Sequence, residues 1–209
     1  MTTVALIRTN YLNGLLARAE TDTVPWSDAQ CTEHISDAIA SLWPEIGNPA
    51  TGTVATNQNS PIYTIPTALS GGRVSRIVIE RVSGGRTTQV EKVTSWRYHS
   101  LTQVIIEPLY VTDATLTLRF YGWVPFLADA SDLPVRLERK VAKRAAGLAY
   151  GTLASVLVNS ERQQGLDSGR VVDYQSAIGL SAYWARRANE ELRTDPAMVS
   201  YAPRRASRL

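Results

Sequence analysis

Residues 120–135 read Phe-Tyr-Gly-Trp-Val-Pro-Phe-Leu-Ala-Asp-Ala-Ser-Asp-Leu-Pro-Val, and the hydrophobic pattern of the chain changes within this stretch. Residues 115–121 alternate apolar and polar side chains, which is the period of a half-buried strand. Ser131 or Asp132 can cap a helix, and Pro134 suits a first turn. One helical face then follows at three- and four-residue spacing: Leu137, Val141, Ala145, Leu148, Thr152 and Val156. The stretch therefore predicts a strand that leads directly into a long helix.

Helical spacing also predicts two helices near the N-terminus and one near the C-terminus. The first has apolar positions at Val4, Ile7, Tyr11, Leu12, Leu15 and Leu16. The second begins with a capping box, Ser27 and Gln30, and is expected to bury Cys31, Ile35, Ala38, Ile39 and Leu42. The last is expected to bury Val171, Tyr174, Ile178, Ala182, Ala185, Asn189 and Leu192, and Pro196 closes it.

Between these helices the chain is rich in Gly, Thr, Asn, Ser and Pro and lacks helical spacing. Strands are predicted at residues 62–65, 74–82, 104–106 and 115–121 because β-branched and alternating apolar residues are concentrated there. Ser-Gly-Gly-Arg occurs twice, at residues 70–73 and 83–86. Paired glycines supply the positive φ angles of tight turns, so each copy predicts a hairpin turn.

The predicted fold class is α+β: a helical bundle of two N-terminal and two C-terminal helices with an inserted β-rich subdomain. Residues 1–47 and 132–195 form the bundle, because each pair of helices needs the other to bury its apolar face. Residues 48–131 form the β-rich insertion. Residues 196–209 carry too little apolar mass to fold alone and are expected to be a flexible basic tail.

The composition is that of a chain that can bury its own core, with 209 residues and 44% apolar content. No apolar stretch approaches the roughly 18 to 20 residues that cross a bilayer, and we expect no targeting segment. Cys31 is the single cysteine, so no intramolecular disulfide or cysteine-based zinc site can form. Residues 1–133 hold 9 basic and 12 acidic side chains, whereas residues 134–209 hold 13 and 7. The excess positive charge therefore belongs to the C-terminal third.

Groups that carry catalysis are scarce. The two histidines stand in unrelated contexts: His34 on the expected polar flank of the second helix, and His99 in an expected aromatic loop, Ser95 to Ser100. Nucleophile elbows, phosphate-binding loops and zinc-binding His-Glu-x-x-His helices are absent from the sequence. The acidic residues Asp129, Asp132 and Glu138 fit a helix N-terminus better than a metal site. We therefore predict a non-enzymatic chain with no catalytic, cofactor-binding or metal-binding residues and no cofactor.

A cluster of cations opens the long helix that begins near Pro134: Arg136, Arg139, Lys140, Lys143 and Arg144. The N-terminal end of a helix dipole disfavours positive charge, which points to compensation by a partner or a neighbouring subunit. A solvated face offset by Glu138 and Asp132 explains the cluster equally well. The five tryptophans are scattered instead of alternating with the cations, so direct reading of nucleic acid is not indicated.

The segment from Phe120 to Val135, followed by an alanine-rich helix ending near residues 149–153, resembles the head-to-tail adaptor (connector) proteins of tailed bacteriophages. In that family a strand ends in a short loop in which aspartate, leucine and proline enter a long helix. An N-terminal helix rich in small residues, followed by Tyr63-Thr-Ile-Pro66 at the start of a β insertion, also agrees with the family. The match spans most of residues 25–195 and depends on the order of short motifs.

The resemblance implies a structural virion protein that forms a ring, commonly of twelve copies, beneath the portal protein. It implies a virion location at the head–tail interface after synthesis in the host cytoplasm. The expected partners include the next neck component (stopper) and genomic DNA, which would pass through the lumen without sequence recognition. The portal-binding residues would be those of the C-terminal extension, Pro203, Arg204, Arg205, Arg208 and Leu209, while Arg136, Lys140, Lys143 and Arg144 would meet a neighbouring subunit or partner. Membranes are not among the expected partners.

Three alternatives remain open at the level of sequence. The chain could be another neck or tail component: a stopper, a tail-completion protein or a tail-terminator protein. It could be a small DNA-binding module, in which case binding should weaken steeply with salt. It could be a small hydrolase that uses His99 with a serine.

Overall fold

The computed structural model describes residues 2–16, 26–83, 86–107, 110, 113, 115–164 and 174–195. The chain divides into two compact units. One, the helical unit, combines Met1–Ile46 with Phe126–Leu209, and the other, the sheet unit, is Gly47–Pro125. Helices and antiparallel sheets are thus combined in one chain, in agreement with the predicted α+β class.

Four helical segments build the helical unit. Segment α1 covers residues 4–15 and consists of an α-helix at Val4–Ile7, a π-helix at Arg8–Leu12 and an α-helix at Asn13–Leu15. Helix α2 is Asp28–Ala40, α3 is Val135–Gln164 and α4 is Tyr174–Arg193. The capping box predicted for α2 is confirmed, because Ser27 and Gln30 each accept a hydrogen bond from the other's backbone N–H.

The core of the helical unit lies between α1, α2 and the first half of α3. All five positions predicted for the buried face of α2 are fully buried: Cys31, Ile35, Ala38, Ile39 and Leu42. They pack with Ile7 and Leu12 of α1 and with Leu137, Val141 and Ala145 of α3. Trp26, just before α2, donates from its indole Nε1 to the Ala149 carbonyl oxygen at 3.3 Å and meets the Tyr150 ring edge-on. Burial thus begins before the helix itself does.

The predicted buried faces of α3 and α4 are only partly correct. On α3 the predicted positions are buried as far as Ala145, whereas Leu148, Thr152 and Val156 are exposed. The buried positions shift instead to Ala149, Tyr150, Ala154 and Leu157. On α4 the predicted positions Ile178, Ala182, Ala185 and Asn189 are exposed, whereas the predicted Leu192 is buried, together with Ala177 and Ala188 of the neighbouring row. The predicted Val171 lies outside the described residues. Both rows of α4 satisfy helical spacing, so periodicity alone could not choose between them.

Two antiparallel sheets form the sheet unit. Its strands are β1 (Asn48–Ala55), β2 (Ile62–Thr64), β3 (Arg73–Ser83), β4 (Arg86–Lys92), β5 (Trp96–Ser100), β6 (Gln103–Ile106) and β7 (Leu116–Val124). The larger sheet has the order β1-β7-β3-β4 and the smaller β2-β6-β5. Apolar residues from both sheets share one core, including Tyr63, Ile77, Val104, Ile106, Leu118 and Phe120.

The four strands predicted from the sequence correspond to β2, β3, β6 and β7. The two Ser-Gly-Gly-Arg repeats have different roles. The second joins β3 to β4, with Ser83 opposite Arg86, as a hairpin turn should. For the first, the hairpin prediction is wrong, because β2 and β3 belong to different sheets. Gly71 has φ +69°, and Gly72 lies so close to β7 that a Cβ there would be 2.3 Å from the Trp123 carbonyl oxygen.

Candidate functional site

Helices α3 and α4 form an antiparallel hairpin whose close approach depends on glycine. A Cβ placed on Gly147 would lie 3.2 Å from the backbone nitrogen of Ala185 and 3.3 Å from the Ser181 carbonyl oxygen. Ser181 donates from Oγ to the Gly147 carbonyl oxygen at 2.8 Å. The small residue on α3 therefore lets the backbones meet almost directly, as in other close helix pairs.

The first turns of α3 are held to the end of α4 by one buried carboxylate. The Asp195 side chain is 1% exposed. Lys140 donates from Nζ to its Oδ2 at 2.7 Å, and Arg136 Nε lies 3.5 Å from its Oδ1. We call this arrangement the Asp195 clamp. A carboxylate removed from water needs such partners, because an unpaired buried charge is strongly unfavourable.

Two more cations of the predicted cluster also reach α4. Lys143, whose side chain is 10% exposed, donates to Glu191, and Arg144 donates from Nη1 to the Asn189 side-chain oxygen at 3.3 Å. All four predicted partner-binding cations thus have a polar contact within their own chain: Lys143 and Arg144 with α4, and Arg136 and Lys140 with Asp195, two residues beyond its end. Neither Glu138 nor Asp132, the offsets considered from sequence, supplies these contacts.

Glu138 and Asp132 instead stabilise the entry to α3. Glu138 accepts a hydrogen bond from Thr2 Oγ1 at 2.8 Å, and Asp132 accepts one from the Leu127 backbone N–H at 2.8 Å. Residues that the sequence placed near a helix N-terminus therefore tie together the chain start, the loop and the helix.

Packing and hydrogen bonds hold the loop at residues 126–133 on both sides of Ala130, whose backbone is strained. Ala130 has φ 63°, which is the left-handed region that non-glycine residues avoid, and its methyl group is fully buried. Asp129 accepts from the Ser131 backbone N–H at 2.9 Å, and this hydrogen bond holds the pKa of the Asp129 carboxyl below its ordinary value. Phe126 and Leu133 anchor the ends of the loop in the core. The surrounding packing thus enforces one loop conformation.

A surface groove of about 570 Å³ runs beside this loop in the helical unit. Small side chains line it: Thr2, Thr3, Val4, Ala5, Thr32, Ser36, Ala128, Asp129 and Ser131. Among the residues that the structure describes, Asp129 is the charged one in this lining. We call it the N-terminal groove, and its combination of methyl groups and hydroxyls suits a binding contact better than bond-breaking chemistry.

The histidines differ from their predicted settings. The prediction of a solvated polar flank for His34 is wrong: the side chain is 8% exposed, and its Nε2 has no hydrogen-bond partner among the described residues. His99 lies in strand β5 instead of a loop, and it is exposed. Nearby, the Tyr98 hydroxyl accepts from the Val74 backbone N–H at 2.7 Å, while partial burial raises the pKa of Tyr98 above its ordinary value.

Within the described ranges, no three His, Cys, Asp or Glu side chains are grouped closely enough to hold a metal ion. No helix in the same ranges has the length and hydropathy needed to cross a membrane. The predicted portal-binding residues Pro203, Arg204, Arg205, Arg208 and Leu209 lie outside the described residues.

Sequence reasoning missed the carboxylate half of the clamp. Asp195 directly precedes Pro196 and lies two residues beyond the end of α4, where its backbone N–H donates to the Leu192 carbonyl oxygen. Its position three residues after the buried Leu192 is the sequence feature that indicates it.

Comparison with known proteins returns only distant likenesses. No protein-family model matches the chain, and no curated protein matches it. Among solved structures, a chain in the neck of an empty gene transfer agent (GTA) particle, computed with C6 symmetry, is 16% identical, with 87% of each chain covered and a TM-score of 0.32. A chain in the virion of a native GTA particle is 18% identical over 87% of each chain, with a TM-score of 0.31.

A third chain, in the neck of the native GTA particle computed with C12 symmetry, is 15% identical over 88% of this chain and 93% of the other, with a TM-score of 0.24. Scores this low do not establish a shared fold, so they assign neither a family nor an activity. The helical hairpin, the fixed loop and the groove beside it remain the features on which a functional assignment has to rest.

Proposed function

We propose that this chain is a structural virion protein, a head-to-tail adaptor that forms a ring beneath the portal and joins the DNA-filled head to the tail. Its work is to bind and to hold neighbouring proteins together. The proposal rests on the sequence resemblance and on contacts within the helical unit, and it does not depend on the weak structural likenesses.

The observation that carries the proposal is the loop at residues 126–133 and the start of α3, both of which lie within the helical unit. The resembling segment includes the end of β7 and the loop with the left-handed Ala130 and the Asp132 hydrogen bond, and it leads into a helix of 30 residues. Strain that packing enforces is often found where a protein binds its partner. Within the helical unit, the loop and the start of α3 are thus held in one geometry, as a binding element requires.

The Asp195 clamp supports the role proposed for the C-terminal extension. Asp195 is the last described residue, and residues 196–209 follow it with three arginines and no acidic residue. The clamp fixes Asp195, the residue that precedes this extension, to the first turns of α3. A basic segment that starts from a fixed point can bind an acidic surface of a portal while giving up less conformational freedom than a segment with a mobile base.

Electron microscopy of the purified chain mixed with purified portal tests the proposal. We expect a ring of density on the outer end of the portal, coaxial with it. Mixtures in which portal particles stay bare, at concentrations where the chain is folded and in excess, would contradict the assignment. A ring found on the tail side of another neck component would instead favour a stopper or terminator role.

Deletion of residues 197–209 tests the tail separately. We expect the truncated chain to unfold at the same denaturant concentration as the full chain, because Asp195 and its partners are retained. Its affinity for portal, measured by co-sedimentation, should fall at least about tenfold, which corresponds to the loss of a few charge-assisted contacts. Equal affinity of the two chains would contradict a portal-binding tail.

A further inference from the structure

The outer face of the larger sheet concentrates positive charge and hydrogen-bond donors. The inner face of this sheet holds Ile77, Leu118 and Phe120 of the core, so the intervening positions of β3 and β7 lie on the outer side. Residues directly opposite each other in register share a face, which extends this side to β1 and β4. The polar and aromatic residues of the outer side include Arg73, Arg76, Lys92, Arg119, Tyr121, Trp123, Thr51, Thr53, Thr117 and Glu80. We call these ten residues the donor face.

The donor face includes one carboxylate, and an arginine of the same face neutralises it. The Glu80 side chain is 5% exposed, and its Oε2 lies 3.0 Å from Arg119 Nε. Four cations and one carboxylate give the donor face a net charge of +3. Residues 47–125 as a whole hold 7 basic and 4 acidic side chains, whereas the rest of residues 1–133 holds 2 and 8. The average over residues 1–133 therefore conceals this positive surface.

The other acidic residues of the sheet unit do not offset the charge of the donor face. Glu91 of β4 is opposite Ile79, whose side chain is in the core, so it belongs to the inner side of the sheet. Asp113 lies 3.6 Å from Arg81, and Glu107 follows β6 of the smaller sheet. The positive charge of the donor face is therefore available to a partner.

Aromatic rings alternate with cations on the donor face. The Arg76 guanidinium lies 4.3 Å from the centroid of the Tyr121 ring, and Arg73 is opposite Trp123 in register. Cations interleaved with aromatic side chains are typical of surfaces that bind nucleic acid. The order of residues in the sequence does not show this alternation, because the arginines come from β3 and the aromatic residues from β7. The tertiary structure thus creates a pattern that the scattered tryptophans did not indicate.

We infer that the donor face binds the phosphodiester backbone of duplex DNA without reading the base sequence. Phosphate oxygens accept hydrogen bonds, and arginine, lysine and threonine side chains are among the usual donors to them. Arg76, Lys92, Thr51 and Thr53 are exposed and present such donors. The inference concerns binding of DNA by this chain and does not depend on docking to a portal.

The geometry favours a duplex over a single strand. Single strands gain affinity when their bases stack on open aromatic rings. On the donor face, Arg76 covers one side of the Tyr121 ring, and Trp123 is half-buried. Contacts to a duplex backbone need charge and donors, which the face supplies without an open ring.

An acidic protein fits the donor face less well than DNA. The centre of a protein interface is usually apolar and depleted of charge. Here Arg119 lies on β7, an inner strand of the sheet, whereas the exposed apolar residues Pro49 and Val90 lie on the edge strands β1 and β4. Charge at the centre and apolar residues at the rim are the reverse of that arrangement.

A matched pair of double variants of the full-length chain tests the inference. Arg76→Gln with Lys92→Gln removes two exposed cations from the donor face. The control, Arg97→Gln with Arg139→Gln, removes two exposed cations from the smaller sheet and from α3, so both variants lose the same net charge. Binding to a fluorescein-labelled duplex of arbitrary sequence is measured by fluorescence anisotropy between about 50 and 200 mM salt. Circular dichroism checks that each variant is folded.

The salt dependence distinguishes contacts on the donor face from a general effect of charge. Each phosphate contact contributes about one to the slope of log affinity against log salt concentration. We expect the donor-face variant to bind DNA at least about tenfold more weakly than the wild type, with a slope shallower by about two. The control should keep the wild-type slope and lose less than about threefold in affinity.

Four outcomes overturn the inference. Equal losses in the two variants would show that net charge alone attracts DNA, and a wild-type chain that leaves the duplex free at about 100 µM in low salt would exclude binding. Tighter binding of a single strand of the same length would overturn the assignment to a duplex. Loss of self-association in sedimentation velocity by the donor-face variant, with a DNA affinity equal to that of the control, would assign the donor face to a protein partner. Portal imaging tests the adaptor role separately, so failure of DNA binding and failure of the proposed function can be told apart.

Discussion

The two halves of α3 meet the same neighbouring helix by opposite means. Residues 135–144 use cations: Lys143 pairs with Glu191 of α4, and Lys140 pairs with Asp195 just beyond the end of α4. Residues 145–157 reach it through Gly147 and other small residues and carry no charge. The comparison teaches that ion pairs can set the alignment of two helices along their length, whereas small residues set how closely the two backbones approach.

The halves also differ in what they leave exposed. The outward positions of the first half include Arg136 and Arg139, which are charged, whereas those of the second half include Leu148 and Val156. A single helix thus combines a solvated start with an apolar surface. Substitutions at the contacts of the two halves should therefore differ in their effect on stability, with the largest loss expected at Gly147.

Gly147→Leu should destabilise the helical unit most, because its side chain would collide with the backbone of α4 at Ser181 and Ala185. We expect a loss of about 3 kcal/mol in the free energy of unfolding, the upper range for overpacking. Urea denaturation followed by circular dichroism measures it. Gly179→Leu is the matched control, since a Cβ at Gly179 meets no atom within 4 Å. Equal losses in both variants would remove the close-approach argument.

Asp195→Ala should give the next largest loss. It leaves Lys140, 18% exposed, without its carboxylate, while Arg136 can turn to water. We expect about 2 kcal/mol, less than for a fully buried pair because both cations reach solvent in part. The control is Glu190→Ala, whose pairs with Arg186 and Arg187 are exposed and 3.8 to 3.9 Å long. A clamp variant as stable as this control would mean that the ion pairs do not hold the hairpin.

Lys143→Met should change the free energy of unfolding by less than about 1 kcal/mol. Methionine retains the buried aliphatic part of the side chain, and Glu191, which is 37% exposed, can be hydrated once its partner is gone. The same denaturation experiment checks this. A loss as large as that of Asp195→Ala would show that both ion pairs in this half of α3 matter equally.

The smallest effect concerns pH and compares the two units. Asp129 in the helical unit and Asp113 in the sheet unit each accept a backbone N–H two residues ahead, from Ser131 and Thr115, which lowers the pKa of both carboxyls. A lowered folded pKa adds stability that is present above the unfolded pKa and is lost as pH falls through the folded value. NMR titration should find both groups deprotonating below the ordinary aspartate pKa.

Proline substitution separates the two aspartates in that titration. Ser131→Pro removes the N–H donor to Asp129, so the pKa of Asp129 should rise toward its ordinary value while that of Asp113 stays low. Ser131→Ala retains the N–H and is the control. An unchanged Asp129 pKa in the proline variant would contradict the hydrogen-bond explanation.

The strands show why part of the fold could be predicted and part could not. The predicted strands include β3, β6 and β7, which lie inside their sheets and have Ile77, Val104 and Phe120 in the core. Strands β1, β4 and β5 were not identified, and all three are edges of their sheets. Strand β2 is an edge too, but its short apolar run between Pro61 and Pro66 made it recognisable. Strands β1, β4 and β5 consist mainly of polar or small residues, and β1 also contains Pro49, which edge strands tolerate.

The candidate site divides in a similar way. The cations at Arg136, Lys140 and Lys143 could be found from sequence because charges cluster visibly along a helix. Their partners could not, since Asp195 and Glu191 lie about fifty residues away and are brought close only by the hairpin. The N-terminal groove likewise joins the chain start to residues near position 130, a pairing that no local pattern encodes.

The sequence by itself determined the helices, strands β2, β3, β6 and β7, the capping box of α2, its buried face and the change from strand to helix at residues 120–135. These depend on local spacing and side-chain chemistry. Only the tertiary structure decided which of two apolar rows on α4 is buried and where the predicted face of α3 becomes exposed. Periodicity shows that a face is apolar, but the neighbour that covers it is chosen by long-range packing.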